Sequence, residues 1–215
     1  PLKRLKEPDP EAVRRGLCNL EKHLENMAAF GKPAIVCLNG FYADTPQEVA
    51  VVAERCQQLG VPFASSDHFM RGGEGAEALA RVLMEHAQSE PSPLITMYTP
   101  EQTLKQKVEA VATRIYGADG VDWTREAEDD LRRLARLGYD GLPVCMSKTQ
   151  NSLSDDPKRL GRPEGFKITV RNLQVAAGAG FVVVLTGALL RMPGLPRIPA
   201  SEHVDLVDGE ITGIG

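Results

Sequence analysis

Ala34-Ile-Val-Cys-Leu38 runs into Asn39-Gly-Phe-Tyr-Ala-Asp-Thr45, and Val61-Pro-Phe-Ala-Ser65 runs into Ser66-Asp-His-Phe-Met-Arg-Gly-Gly-Glu-Gly75. Each half reads as a short apolar strand bounded by turn residues, then a loop carrying an aromatic beside polar groups. Between them, Thr45-Pro46 opens a helix bearing Val49, Val52, Ala53 and Cys56 and ending at Gly60. A strand, a crossover helix and a second strand specify a parallel pair, joined right-handedly. Both loops then leave the carboxyl ends of neighbouring strands, the edge where open α/β sheets hold their ligands.

Working outward, Asp9-Pro10-Glu11 caps a helix with Val13, Leu17, Leu20, Leu24, Met27 and Phe30 at helical spacing, stopped by Gly31 and Pro33. After Gly75 a helix runs to about Gln88, with Leu79, Val82, Leu83 and His86 on one face. Ser89-Glu-Pro-Ser-Pro93 is linker material. Thr99-Pro100 is expected to start a helix with Leu104, Val108, Val111, Ala112 and Ile115 inward, broken by Tyr116-Gly-Ala-Asp-Gly120. Thr124 caps another, with Leu131, Leu134 and Leu137 inward and Gly138 at its end. Leu142-Pro-Val-Cys-Met146, the segment 166–173 and the apolar run 181–185 read as strands, and residues 150–162 as an exposed loop. Gly178-Ala-Gly180 and Met192-Pro-Gly-Leu-Pro196 are tight-turn material, and a hairpin is expected around Asp208-Gly209. The fold class is therefore α/β, mostly parallel with flanking helices. Residues 1–92 are assigned to one α/β domain and 93–215 to a smaller α/β subdomain.

Composition narrows the partners. The chain has 215 residues, a net charge of -4 and 25% charged residues, with no basic block. A nucleic-acid surface needs such a block, so that class is set aside. No apolar run approaches the ~20 residues of a membrane helix. Cys18, Cys37, Cys56 and Cys145 are scattered, without the pairwise spacing of a zinc site. Cys37 and Cys145 sit in apolar runs and are expected to be buried thiols. Reduced cysteines point to the cytoplasm.

No GxSxG, HExxH or Walker lysine loop is present. The candidates are therefore groups on loops. Phe41 and Phe69 either plug a core or offer faces to a flat ring. Gly72-Gly73-Glu74-Gly75, before a helix, either presents backbone N–H groups to an anion or satisfies an unusual backbone path. Arg71 beside it is an anion ligand or a surface cation. His68 lies inside the same loop and is open to either a site role or a packing role, whereas His86 reads as packed. Lys148, in Lys148-Thr149-Gln150 after a strand, is a phosphate or carboxylate ligand or a solvated lysine.

Several segments, in order, resemble the formate–tetrahydrofolate ligases: Gly16-Leu-Cys-Asn-Leu20, Ala34-Ile-Val-Cys-Leu-Asn-Gly-Phe41 with Asp44-Thr45, and Gly72-Gly-Glu-Gly75. Ile115-Tyr-Gly-Ala118, Leu142-Pro-Val-Cys-Met-Ser-Lys-Thr149, Ser152-Leu-Ser154, Gly178-Ala-Gly-Phe181, Met192-Pro-Gly-Leu-Pro196 and Ile211-Thr-Gly213 continue the match. The resemblance implies an ATP-dependent C–N ligase that makes 10-formyltetrahydrofolate from formate and tetrahydrofolate through formyl phosphate, with magnesium accompanying ATP. It implies a P-loop NTPase-like fold, a homotetramer and a cytoplasmic enzyme of one-carbon metabolism. Family enzymes are much longer, and their P-loop lies upstream of every residue here. This chain is expected to be the C-terminal portion and inactive alone; the alternative is a non-catalytic folate-binding or partner module. The family's pterin sandwich maps to Phe41 and Phe69, with Gly72, Gly73 and Glu74 as the turn beside it. Asn39 is expected near the nucleotide. Two positions depart from the bacterial pattern: Phe69 stands where some members carry Trp, and Gly40 where Arg is common.

Overall fold

The computed structural model describes residues 7–87, 92–148, 152–187 and 196–213. Helix α1 (Pro10–Ala29) starts where Asp9 accepts the Ala12 N–H at 2.9 Å, with proline at its first position. Strand β1 (Val36–Asn39) follows, then α2 (Pro46–Gln58), β2 (Phe63–Ser66), a one-turn α3 (His68–Arg71), a 3-10 turn over Gly72–Ala76, and α4 (Glu77–Ala87). Thr45 and Glu48 cap α2 reciprocally. The same Glu48 carboxylate accepts the backbone N–H of Asp9 at 2.9 Å, tying the start of α1 to the start of α2. That bond, and then the bonds from Thr45, hold Glu48 below the usual carboxylate range.

β1 and β2 pair in parallel, Val36 opposite Phe63 and Asn39 opposite Ser66. Leu17, Val36, Val51, Val52 and Cys56 close the first core, with Leu20, Leu24, Leu38 and Phe63 packed on it. Strand alternation explains one departure from expectation. Val36 faces the helices, so Cys37 faces the other way. On that side α4 packs on β2, burying Ala64 and Ser66, and leaves β1 uncovered, so the Cys37 thiol is exposed. Cys56 is the buried thiol instead, and burial pushes its pKa up. On α4, Leu79, Val82 and His86 are half-buried as expected, but Leu83 is exposed, as is Met84.

The second part comprises α5 (Leu104–Arg114), β3 (Gly120–Trp123), α6 (Arg125–Arg136), β4 (Val144–Met146), β5 (Lys167–Ala176) and β6 (Phe181–Thr186). The four strands form one sheet in the order β3-β5-β6-β4. The outer strands run parallel to their neighbours, but β5 and β6 form an antiparallel hairpin, so this sheet is mixed rather than parallel throughout. Leu104, Val108, Ala127, Leu134, Val170, Leu173, Val182 and Val184 make its core. β4 is an edge strand, which is why Cys145 is exposed instead of buried. Leu137, expected inward, lies beyond the last turn of α6 and is exposed.

Helix α5 begins later than the Thr99-Pro100 signal suggests. Thr103 and Gln106 form the reciprocal cap, and residues 99–102 make a separate turn. Lys107 accounts for that turn. It is fully buried, and its Nζ donates to the carbonyls of Pro100 at 3.0 Å, Asp140 at 2.5 Å and Leu142 at 3.1 Å. One ammonium thus pins two loops, using all three of its donors. Burial lowers its pKa, opposed by the Asp140 and Glu101 carboxylates.

The two cores are joined by the Ile95 N–H to the Phe30 carbonyl at 2.9 Å, by Lys32 to the Ser92 carbonyl, and by a bidentate pair between Arg162 and Glu25 at 2.7 and 2.8 Å. A terminal hairpin of β7 (Asp205–Val207) and β8 (Glu210–Thr212) turns on Asp208 and Gly209, both at positive φ, the geometry of a type I′ turn. Of the expected turn material, residues 192–195, 149–151 and 88–91 lie outside the described residues.

Candidate functional site

Because β1 and β2 are parallel neighbours, the loops after them emerge at one edge, and backbone bonds stitch them together. The Gly40 N–H donates to the Ser66 carbonyl at 2.8 Å. Past Gly40, the Phe41 N–H donates to the Asp44 carboxylate at 2.8 Å while the Asp44 N–H returns to the Phe41 carbonyl at 3.0 Å. This closed turn leads directly into the Thr45 cap of α2. The Phe41 backbone is therefore fixed, yet its ring is 68% exposed.

The second loop is more structured than a glycine-rich turn. The Met70 and Arg71 N–H groups donate to the Asp67 carbonyl at 3.0 and 3.1 Å, forming α3. The Asp67 N–H in turn reaches the Gly75 carbonyl at 3.1 Å, closing the loop on itself. A Cβ at Gly75 would lie 2.6 Å from the Asp67 carbonyl carbon, so only glycine permits this closure. Gly72 has φ +58° and donates its N–H to the His68 carbonyl. That donor is spent inside the loop rather than offered to an anion. Arg71 lies 3.6 Å from both the Asp67 and Glu74 carboxylates, so its charge is balanced locally. Glu74 is exposed and turned to Arg71, and Gly73 is exposed beside it. The result is a rigid ledge from which Phe69 projects, 71% exposed.

The structure thus brings Phe41, Phe69, Gly72, Gly73 and Glu74 to one edge, and Asn39 ends β1 there with its side chain exposed. Two more exposed residues sit in the same loops, Tyr42 and Met70. Exposed apolar groups gathered on ordered loops at one sheet edge are a candidate binding surface. Sequence reasoning passed over Ser66. It is only 2% exposed, its carbonyl holds the first loop, and its hydroxyl lies 2.9 Å from Nδ1 of His68. A small polar residue at a strand end gives no pattern signal; its role depends on the parallel pairing.

The other candidates lie elsewhere. Lys148 donates to the Ser152 carbonyl at 3.0 Å, in the loop beyond β4. A cavity of about 610 Å³ between the two cores is lined by Phe30, Ile95, Tyr98, Val111, Ile115 and Val144, without a charged side chain among its walls. Among the described residues, no group of three or more His, Cys, Asp or Glu is placed to hold a metal, and no helix is long and apolar enough to cross a membrane. The sequence model of one family, formate–tetrahydrofolate ligase, matches residues 1–215, the whole of this chain.

Proposed function

The chain belongs to the formate–tetrahydrofolate ligase family, and from that premise we propose that it supplies the folate-side wall of the ligase site. The family's ATP-dependent reaction joins formate to tetrahydrofolate and forms a C–N bond. In this reading Phe41 and Phe69 take the two faces of the pterin, and the ledge of residues 72–74 lies along its edge. The observation that carries it is the pair of exposed rings, 68% and 71%, on loops that the Gly40–Ser66 bond locks together. Flat heterocycles with polar rims suit apolar faces combined with a few fixed polar groups. Each good ring contact contributes about 0.5–1.5 kcal/mol beyond area burial.

The residues present do not fit a nucleotide site of the P-loop type. The sequence contains no Walker lysine loop, and the Gly72 N–H and the Arg71 guanidinium are both engaged within their own loop. No phosphate-transfer step is therefore assigned to these side chains, and Asn39 near the nucleotide rests on resemblance alone. In this reading the chain binds tetrahydrofolate and orients its N10 amine, while activation of formate by ATP and magnesium falls to a P-loop.

Two measurements test the proposal. Phe69→Ala is expected to weaken tetrahydrofolate binding about tenfold, about 1.4 kcal/mol, without lowering the melting temperature. Unchanged affinity would remove Phe69 from the site. The purified chain, given ATP, formate and tetrahydrofolate, is expected to show no turnover; measurable 10-formyltetrahydrofolate would overturn the assignment of formate activation to a P-loop.

A further inference from the structure

Two aromatic faces hold any flat ring of suitable size; they do not distinguish one ring edge from another. We infer that the Ser66–His68 pair is the specificity-determining polar contact of this ledge: His68 Nε2–H donates to an acceptor, such as a ring carbonyl, on the edge of the heterocycle stacked by Phe41 and Phe69. The inference rests on the folate reading above.

The argument begins with a buried hydroxyl. Ser66 is 2% exposed, and Nδ1 of His68, at 2.9 Å, is its hydroxyl's one hydrogen-bond partner among the described residues. If Nδ1–H donated to Ser66, the serine O–H would be left buried without an acceptor, the costlier arrangement. If Ser66 donates to Nδ1, its proton is satisfied and the imidazole proton is fixed on Nε2. Nε2 then has no partner among the described residues, and the His68 ring is exposed. A buried serine thus orients an exposed histidine as a donor.

Placement makes that donor useful. His68 is the first residue of α3 and directly precedes Phe69. Its carbonyl receives the Gly72 N–H, and the bond from Asp67 to Gly75 closes the loop around it. Ser66 also accepts the Gly40 N–H that fixes the loop of Phe41. Phe41, His68 and Phe69 therefore all hang from one strand-end residue, so their relative positions are set before a ligand arrives. Arg71, the nearest cation in the loop, is balanced by Asp67 and Glu74, so it does not compete as the polar handle.

The test uses two ligands differing at one ring substituent: folic acid, with a 4-oxo acceptor, and aminopterin, with a 4-amino donor. The wild-type chain is expected to bind folic acid about tenfold more tightly, the discrimination of one hydrogen bond. His68→Phe is expected to bring the ratio close to one, and His68→Gln, which keeps a donor, to restore part of it. In ¹⁵N spectra the wild-type ring is expected as the Nε2–H tautomer, and Ser66→Ala is expected to shift it toward a mixture. An unchanged ratio in His68→Phe, with Phe69→Ala still weakening both ligands, overturns the role of His68 and leaves the folate reading standing. Binding of neither ligand by the wild-type chain overturns both. An Nδ1–H tautomer in the wild type overturns the role of Ser66.

Discussion

The ledge after β1 and β2 and the core of the four-stranded sheet are built from opposite uses of the same residue types. In the core on that sheet, Leu104, Val170, Leu173 and Val182 are fully buried, and even a lysine is enclosed. On the ledge, Phe41, Tyr42, Phe69 and Met70 stand at 68, 74, 71 and 67% exposure on backbone closed by hydrogen bonds. Apolar groups in the first region stabilise the fold by leaving water. Those in the second leave water only when something else covers them. Rigid backbone beneath uncovered side chains separates binding from folding: the loop is ordered without its rings, so the rings are available to a ligand.

The largest effect that tests this contrast lies in the sheet. Leu173→Ala is expected to cost about 2–5 kcal/mol of stability, the loss of a buried side chain plus the cavity it leaves. Phe69→Ala, although it removes a larger side chain, is expected to change stability by less than about 0.5 kcal/mol, as surface substitutions usually do. Denaturant titration of both variants reads the difference. A loss for Phe69→Ala comparable with that for Leu173→Ala would break the comparison and make the ledge a piece of core.

Lys107 carries the contrast to a polar group. It sits where Leu104 and Val108 are also inward, and it holds the turn at Pro100 against the turn at residues 140–142. Lys107→Met keeps much of the volume but leaves three carbonyls without their donor. Each orphaned acceptor costs about 1–3 kcal/mol, so a loss of about 3 kcal/mol is expected in the same titration. Lys105→Met, on the same helix but with its ammonium 5.7 Å from the centre of the Trp123 ring, is expected to stay within about 0.5 kcal/mol. Equal effects at the two lysines would show that the carbonyl cage contributes nothing beyond an ordinary surface cation.

These contrasts also mark how far the sequence can be read. The caps at Asp9, Thr45 and Thr124, the two strand-end loops and the Asp208-Gly209 turn are legible because each is local: a side chain meets backbone a few residues away. Position 107 was not legible. Lysine in a helical pattern is assigned to water, and only the approach of residues 100, 140 and 142, distant in sequence, reverses that. β3 was missed for a similar reason. Gly120-Val-Asp-Trp123 is too short and polar to announce a strand, and it becomes one by pairing with β5. Cys37 and Cys145 were misplaced because apolar neighbours say nothing about which face of a strand is covered. On the ledge, the aromatics were readable from the strand–loop pattern, but Ser66 was not, since its importance arises only when β1 lies beside β2.

The smallest expected effect tests the burial of Tyr116 by pH. Tyr116 is buried beside the second core and donates to the Met146 carbonyl at 3.2 Å. Burial first, and then the Cys145 thiol, push its pKa up to about 12. In the unfolded chain a tyrosine loses its proton near pH ~10. Between those values the unfolded state therefore binds fewer protons than the folded one, and stability falls as pH rises. The gap between those values corresponds to roughly 3 kcal/mol across that window. Tyr116→Phe removes the hydroxyl, so at neutral pH it is expected to cost only about 1 kcal/mol, the value of one hydrogen bond. Its stability is then expected to decline less steeply than the wild type's between pH ~10 and ~12, because a group that cannot ionise contributes no slope. Parallel alkaline profiles for the wild type and Tyr116→Phe would show that residue 116 meets water as freely as the ledge does.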